Sequence, residues 1–190
     1  LVGGATSSTV NDIFFTDALN GSLVVELGRI YKTTNGGVNW KQTLGVPLSG
    51  RALTFINGKG YMTAAGGRIF RSTNNGSNWS PVVNNVITNI SGLAIATPLV
   101  NYMIAEDRIV YKSTDGGVTW SQGIRVNQDP LNNGRHQFFP GITIDNSGGV
   151  NIIFYDDRNT TTDSSGIFLA RSLDGGNTWT NATTATIPAG

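Results

Sequence analysis

Short apolar runs separated by turns rich in glycine and asparagine form the main pattern of this sequence. Typical runs are DIFFT (12–16), ALTFI (52–56) and VNIIFYD (150–156), and each is followed by Asn or Asp. Runs of this length with such boundaries are characteristic of β-strands and too short for most helices. The pattern therefore predicts an all-β protein built from many short strands.

The runs occur in pairs, and each pair precedes a similar turn. The eight runs are DIFFT (12–16) with SLVVEL (22–27), ALTFI (52–56) with GYMTAA (60–65), LAIAT (93–97) with NYMIAE (101–106), and GITID (141–145) with VNIIFYD (150–156). The turn that follows is flanked by two further strand-like segments. Each unit of the sequence thus predicts a sheet of four strands.

The turn itself is an eight-residue frame that occurs four times and contains every tryptophan of the chain. Position one is Ser or Thr, position three Asp or Asn, position five Gly, position seven Asn or Thr, and position eight Trp. The conserved frame positions one, three, five and eight are Thr33, Asn35, Gly37 and Trp40, then Ser72, Asn74, Gly76 and Trp79, then Ser113, Asp115, Gly117 and Trp120, and finally Ser172, Asp174, Gly176 and Trp179. A basic residue stands before each frame, namely Lys32, Arg71, Lys112 and Arg171.

These residue types predict a stapled hairpin. The Asp or Asn side chain can accept hydrogen bonds from the backbone two residues on, and glycine supplies the positive φ that closes the turn. The tryptophan then starts the outgoing strand and covers the hairpin with its ring. We therefore expect the frame to have a structural role.

Spacings of 39, 41 and 59 residues between the tryptophans match four-stranded units in tandem. A single sheet of this kind cannot bury both of its faces, and blades of a β-propeller solve this by packing on their neighbours. We predict one propeller region over residues 1–190, with repeats at about 8–45, 46–85, 86–124 and 125–184. A longer parent protein, a four-blade ring, a ring shared by two chains and an open array all remain compatible with four repeats.

The frame resembles the Asp box, or bacterial neuraminidase repeat, of sialidase-like propellers, which also occurs in sortilin and in photosystem II assembly factors. The first two copies depart from it, because Asn35 and Asn74 keep the acceptor and lose the charge. The resemblance implies a propeller of four-stranded antiparallel blades, with the box on an outer turn away from the central pocket. It implies the fold more strongly than any activity.

The fourth repeat is longer than the others, and its extra residues contain the candidate ligand-binding groups. The extra residues fall in 123–141 and 155–166, and the sequence there resembles a blade type of secreted sialidase-superfamily propellers. The candidates are Tyr155, Asp156, Asp157, Arg158, His136 and Gln137. Long loops of repeat folds often contact ligands, but the simpler interpretation is that Asp156, Asp157 and Arg158 cap a turn and form a surface ion pair.

Metal binding has weaker support than ligand binding. Oxygen ligands for Ca²⁺ are available on Asp156, Asp157, Asn159 and Asp163, although no spacing matches a dedicated calcium loop. His136 is the only histidine and the chain has no cysteine, so a zinc site is not expected. We predict no cofactor, with Ca²⁺ as the one alternative.

No catalytic set is identifiable. The sialidase resemblance implies an arginine triad, a Tyr nucleophile activated by Glu and an Asp acid/base, but the Arg-Ile-Pro motif is missing. We interpret Arg29, Arg68 and Arg108 as equivalent strand residues of successive repeats. Glu26 and Glu106 occupy matching repeat positions, so neither is interpreted as part of a special site.

The amino-acid composition bears on the partners and the cellular location of the protein. The net charge is +1, which gives no basic patch for nucleic acid, and no apolar run approaches the length of a membrane span. Asn, Thr and Ser are abundant (20, 22 and 14) while Glu and Lys are rare (2 and 4), a surface composition that favours a secreted or cell-surface protein.

Our leading hypothesis is an extracellular propeller module that binds a glycan, a protein partner or a second copy of itself. One alternative is a fragment of a sialidase-type glycoside hydrolase whose catalytic residues lie partly elsewhere. A third hypothesis, an assembly factor similar to the photosystem II helpers, rests on the segment IFFTDALNGSLVVELGRIYKTTNGGVNW (13–40).

Overall fold

The computed structural model describes residues 9–43, 45–84, 86–130, 133–158 and 164–187. These residues form four antiparallel sheets, which we call blades one to four. Blade one contains β1 (Val10–Phe15), β2 (Gly21–Val25), β3 (Ile30–Thr33) and β4 (Lys41–Gln42); blade two contains β5 (Gly50–Ile56), β6 (Lys59–Ala64), β7 (Arg68–Ser72) and β8 (Ser80–Val82). Blade three contains β9 (Ile90–Ile95), β10 (Asn101–Ala105), β11 (Ile109–Ser113) and β12 (Ile124–Arg125), and blade four β13 (Gln137–Ile144), β14 (Val150–Asp156), β15 (Ser165–Ser172) and β16 (Thr180–Ile187).

The predicted all-β propeller fold is confirmed. Within each blade the strands pair in chain order, and all eight predicted runs overlap strands. The only helical segments in the described ranges are two 3-10 turns, Glu26–Gly28 and Ala65–Gly67, at the ends of β2 and β6.

The apolar core lies between the blades. We call the face of a blade that packs against the following blade its leading face, and the opposite face its trailing face. Val24 and Ile30 on the leading face of blade one pack with Leu53 and Met62 on the trailing face of blade two. The same arrangement joins blades two and three and blades three and four, so each core is shared by two consecutive repeats.

The leading face of blade four is exposed. Strand pairing makes Val24, Thr63, Ile104 and Ile153 equivalent positions of the four blades. The first three are fully buried, whereas Ile153 is 50% exposed, because no following blade covers it in the described structure. Identical register therefore gives a core residue in three blades and a surface residue in the fourth.

The eight-residue frames close the hairpins between the third and fourth strands. The position-five amide donates to the position-one hydroxyl at 2.7–2.9 Å in all four frames. The position-seven amide donates to Oδ1 of position three at 2.9 Å in each. The predicted acceptor role is therefore right but its partner was wrong: the side chain spans the glycine turn to reach the amide four residues on.

The frames of blades three and four also contact the preceding blade. Tyr61 of blade two donates its hydroxyl proton to the Gly116 carbonyl in the frame of blade three, at 2.7 Å. Tyr102 of blade three does the same to Gly175 in the frame of blade four, at 2.9 Å. The frame is thus a point of attachment between blades as well as a hairpin staple.

Candidate functional site

A cavity of about 800 Å³ lies at the propeller axis and is lined by all four blades. It is bordered by the first strands of the four blades and by the ends of the second strands of blades one and three. Charged and polar groups in the lining are Asn11, Glu26, Ser49, Arg51, Ser91, Glu106 and Gln137, and aromatic groups are Phe138 and Phe139. A volume of this size is typical of ligand sites, and the convergence of four repeats on it marks it as the candidate functional site.

An ion pair between neighbouring blades crosses this cavity. Arg51 Nη1 of blade two lies 3.3 Å from Glu106 Oε1 of blade three, and both side chains are about half exposed, at 44% and 50%. The other carboxylate oxygen of Glu106 accepts a hydrogen bond from Asn89 Nδ2 at 3.0 Å. Exposed pairs of this kind contribute little to stability, so ligand groups can exchange with them at small cost.

Glu26 lies in the same cavity; its amide donates to the Thr9 carbonyl at 3.1 Å, and among the described residues its carboxylate accepts no hydrogen bond. Sequence reasoning dismissed Glu26 and Glu106 because they occupy matching positions of two repeats. In a propeller, equivalent positions of successive blades surround a common axis, so repeat equivalence brings these two side chains to one cavity and does not separate them. The sequence signal for this shared cavity was the tandem repeat itself, because tandem blades are arranged around an axis.

The three repeated arginines do not occupy one position. Arg29 and Arg68 precede their frames by four residues, but Arg108 precedes its frame by five. Arg108 stands where the other blades have Gly28 and Gly67, and it shares their positive φ, at 65° against 71°. The interpretation of Arg108 as an equivalent strand residue is therefore corrected.

Blade three has an arginine where blades one and two have a glycine because its connection to the next blade is different. A Cβ on Gly28 would lie 2.0 Å from the Val46 carbonyl oxygen, and one on Gly67 would lie 2.5 Å from that of Val86. At the third junction the chain leaves along the lengthened segment, and Arg108 Nη1 donates to the Gln137 carbonyl at 3.1 Å.

The fourth-repeat candidates separate into three groups. In the first, Asp156 is completely buried, and its carboxylate accepts from Arg158 Nε at 2.7 Å and from the Arg158 amide at 2.7 Å. Arg158 also packs over the Phe168 ring, 4.4 Å from its centroid. The predicted turn cap is present, but the ion pair is buried and not on the surface, since Arg158 is only 15% exposed and also lies 3.8 Å from Asp129 in the segment that joins blades three and four.

Gln137 joins the same buried network. Its Nε2 donates to Asp129 Oδ2 at 2.8 Å, and its Oε1 accepts from Asn127 Nδ2 at 3.0 Å. Asp129 Oδ1 lies 3.8 Å from Arg158 Nε. Asn127 and Asp129 were not predicted from the sequence as partners of Gln137. Their position in the lengthened segment was the only sequence feature that could have indicated this role.

The second group is His136 with Asp157, at the surface. The His136 amide donates to Asp157 Oδ1 at 2.7 Å, and the His136 side chain is 81% exposed. The third is Tyr155, whose ring stacks on Phe138 at 5.3 Å between centroids. Phe139, 78% exposed with a φ of 51°, packs against the edge of Tyr155 at the rim of the axial cavity.

The calcium hypothesis stays a prediction. The carboxylates of Asp156 and Asp157 face different partners, Arg158 and His136, and Asn159 and Asp163 lie outside the described residues. In the described ranges, no group of three or more His, Asp or Glu side chains is arranged to hold a metal ion.

Two frames contain carboxylates with perturbed acidity. Hydrogen bonds from the Thr119 side chain and amide lower the pKa of Asp115 to about 2. The hydroxyl of Thr178 similarly lowers the pKa of Asp174. Both shifts arise from donors that stabilise the ionised form, and the Asn35 and Asn74 frames have no titratable group at this position.

The comparisons with known proteins agree with this architecture. The family described as photosynthesis system II assembly factor YCF48, a family of neuraminidase-type repeats, matches residues 2–125. The chain belongs to this family. No curated protein matches it.

Solved propellers show the same fold at low sequence identity. YCF48 bound to D1 peptide is 16% identical, with a TM-score of 0.58 over 93% of this chain and 82% of that one. YCF48 from Cyanidioschyzon merolae is 15% identical, with a TM-score of 0.63 over 94% and 72%. An α-L-arabinanase from Penicillium chrysogenum, complexed with arabinobiose, is 13% identical, with a TM-score of 0.61 over 94% and 72%. Within the described chain, no helix has the length and apolar character needed to span a membrane.

Proposed function

We propose that this chain is a protein-binding propeller module that holds a polypeptide segment at its axial cavity. The observation that carries the proposal is the convergence of groups of both charges, Glu26, Arg51 and Glu106, on one cavity. Membership of the assembly-factor family supports a protein partner, and one solved relative was determined with a peptide bound. Under this proposal the chain acts as an assembly factor, and the polypeptide that it holds belongs to the protein being assembled.

The cavity chemistry suits a polypeptide better than a neutral glycan. Glu26 is an acceptor for a lysine or arginine side chain, and Arg51 can exchange its contact with Glu106 for a carboxylate of the partner. A neutral sugar gains nothing from charge pairing, whereas a peptide with mixed charges matches the cavity at several points. The exposed ring of Phe139 adds an apolar anchor at the rim.

Panning of a displayed library of random peptides on the intact chain tests this proposal. We expect enrichment of peptides with a basic residue, and about a tenfold loss of their affinity on Glu26→Gln, since a charge-assisted hydrogen bond is lost. Lys41→Ala, on the outer strand of blade one, is the matched control and should leave affinity unchanged. Absence of enriched peptides, or equal binding by Glu26→Gln, would contradict the proposal.

A glycoside hydrolase is the second candidate, and the presence of two glutamates in one cavity is the observation that favours it. Retaining and inverting glycosidases both need a proton-donating carboxyl and a second carboxylate. Both oxygens of Glu106 already accept hydrogen bonds, from Arg51 and Asn89, which favours an acceptor over a proton donor. Turnover of aryl glycosides or sialosides that is lost in Glu26→Gln would support this candidate over binding alone.

The secreted or cell-surface location stays a prediction.

A further inference from the structure

A second cavity, of about 680 Å³, lies between blades one and two. Its apolar wall includes Phe14, Phe55 and Ile56, and its polar groups include Ser22 and Lys32. It is remote from the axial cavity, because the frame turn of blade two, including Asn75, lines it. At the same level of the other two junctions, the ring of a buried tyrosine stands between the blades.

Strand register explains the difference. Ser22, Tyr61 and Tyr102 are equivalent, since each pairs with the basic residue that precedes its frame. Tyr61 and Tyr102 are buried between blades and donate their hydroxyl protons to a frame carbonyl of the following blade. The corresponding carbonyl at the first junction belongs to Asn75, and Ser22 is too short to fill the space before it.

The other groups that surround the tyrosine at the third junction are present at the first. Lys112 Nζ lies 5.7 Å from the Tyr102 ring centroid and donates to the same Gly175 carbonyl at 2.8 Å. Lys32 Nζ likewise donates to the Asn75 carbonyl. The first junction therefore has the cation, the carbonyl acceptor and the aromatic wall, and lacks only the phenolic ring.

We propose that the cavity between blades one and two binds a phenolic ring, either of a free phenol or of a tyrosine side chain presented by a peptide. The ring takes the volume that Tyr61 and Tyr102 fill at their junctions, and its hydroxyl donates to the Asn75 carbonyl. The proposal does not depend on peptide binding at the axis.

NMR titration of the intact chain with p-cresol and with toluene tests the hydroxyl. We expect saturable shifts of the Ser22, Lys32 and Asn75 amides, and about fivefold tighter binding of p-cresol, the effect of one net hydrogen bond. Titration with N-acetyl-tyrosinamide distinguishes the two sources: if it shifts the same amides, a peptide tyrosine can enter, and if only p-cresol does, the site takes free phenols. Equal binding of toluene and p-cresol, or no saturable shift, overturns the proposal.

Two variants locate the site. Ser22→Tyr supplies the missing ring and should abolish p-cresol binding, whereas Ser80→Tyr, on the outer strand of blade two, should not change it. Tyr102→Ser should create a second p-cresol site at the third junction, seen as shifts near Gly175 or, if the variant is poorly folded, as a rise in its melting temperature with p-cresol. Undiminished binding by folded Ser22→Tyr, or absence of both effects in Tyr102→Ser, contradicts the assignment.

Discussion

The first and third junctions between blades use the same strands and the same frame, yet one is open and the other is filled. At the first junction, Ser22 leaves a cavity before the Asn75 carbonyl. At the third, Tyr102 reaches the Gly175 carbonyl, and Asp156 with Arg158 adds a buried ion pair. The comparison teaches that the repeat fixes the position of each blade and the apolar core between blades, whereas single side chains decide whether the part of a junction beside the frame is filled or open.

The largest expected effect is loss of the buried ion pair. Asp156→Ala leaves the Arg158 guanidinium, whose side chain is only 15% exposed, without its main partner. We expect a decrease of about 3–5 kcal/mol in the free energy of unfolding, measured by denaturant titration. Asp157→Ala removes a carboxylate one residue away on the surface side and is the control. Equal effects of the two substitutions would contradict a special role for the buried pair.

The second-largest expected effect is the loss of a buried side chain from the leading face of blade three, compared with the same change on the exposed leading face of blade four. Ile104→Ala empties a fully buried position between blades three and four, and we expect a loss of about 2–5 kcal/mol in unfolding free energy. Ile153→Ala changes the equivalent position of blade four, which is half exposed, and should cost clearly less. A similar cost for both would mean that something covers the leading face of blade four in solution.

Loss of the tyrosine hydroxyl should have a smaller effect. Tyr102→Phe keeps the ring between blades and removes the hydrogen bond to Gly175, for an expected loss of about 1 kcal/mol. Tyr155→Phe is the control, because the Tyr155 hydroxyl makes no hydrogen bond within the described residues and the ring contacts with Phe138 and Phe139 are kept. If Tyr102→Phe is as stable as wild type, the hydroxyl contact does not hold the blades together.

The smallest effect is a pH dependence that, among the four frames, belongs to the third and fourth, whose position three is an aspartate. The pKa of Asp115 is lowered from 3.8 to about 2 in the folded state, so its stabilising effect is complete above about pH 4 and is lost as the pH falls through 2. Asp115→Asn converts the third frame to the chemistry of the first two. We expect this variant to lose part of the decrease in unfolding free energy between pH 4 and pH 2, measured by denaturant titration at each pH. An unchanged pH profile would show that the carboxylate is not stabilised by Thr119.

Much of this protein was determined by its sequence. The apolar runs, the four frames and their spacing predicted the strands and the blade architecture, because hairpin chemistry and strand periodicity are local. The role of Asp174 as a turn acceptor was also predictable, although the amide it binds was not. Such features depend on residues within a few positions of one another.

Only the tertiary structure decided which residues meet. Glu26 and Glu106 share a cavity because the blades turn about an axis, and Asp156 is buried with Arg158, which also lies 3.8 Å from Asp129 in the segment between blades three and four. The role of Ser22 depends on the absence of a ring that two other blades supply. Contacts between repeats join residues some 30–70 positions apart, and their burial depends on packing of neighbouring sheets, which no local pattern of polarity encodes.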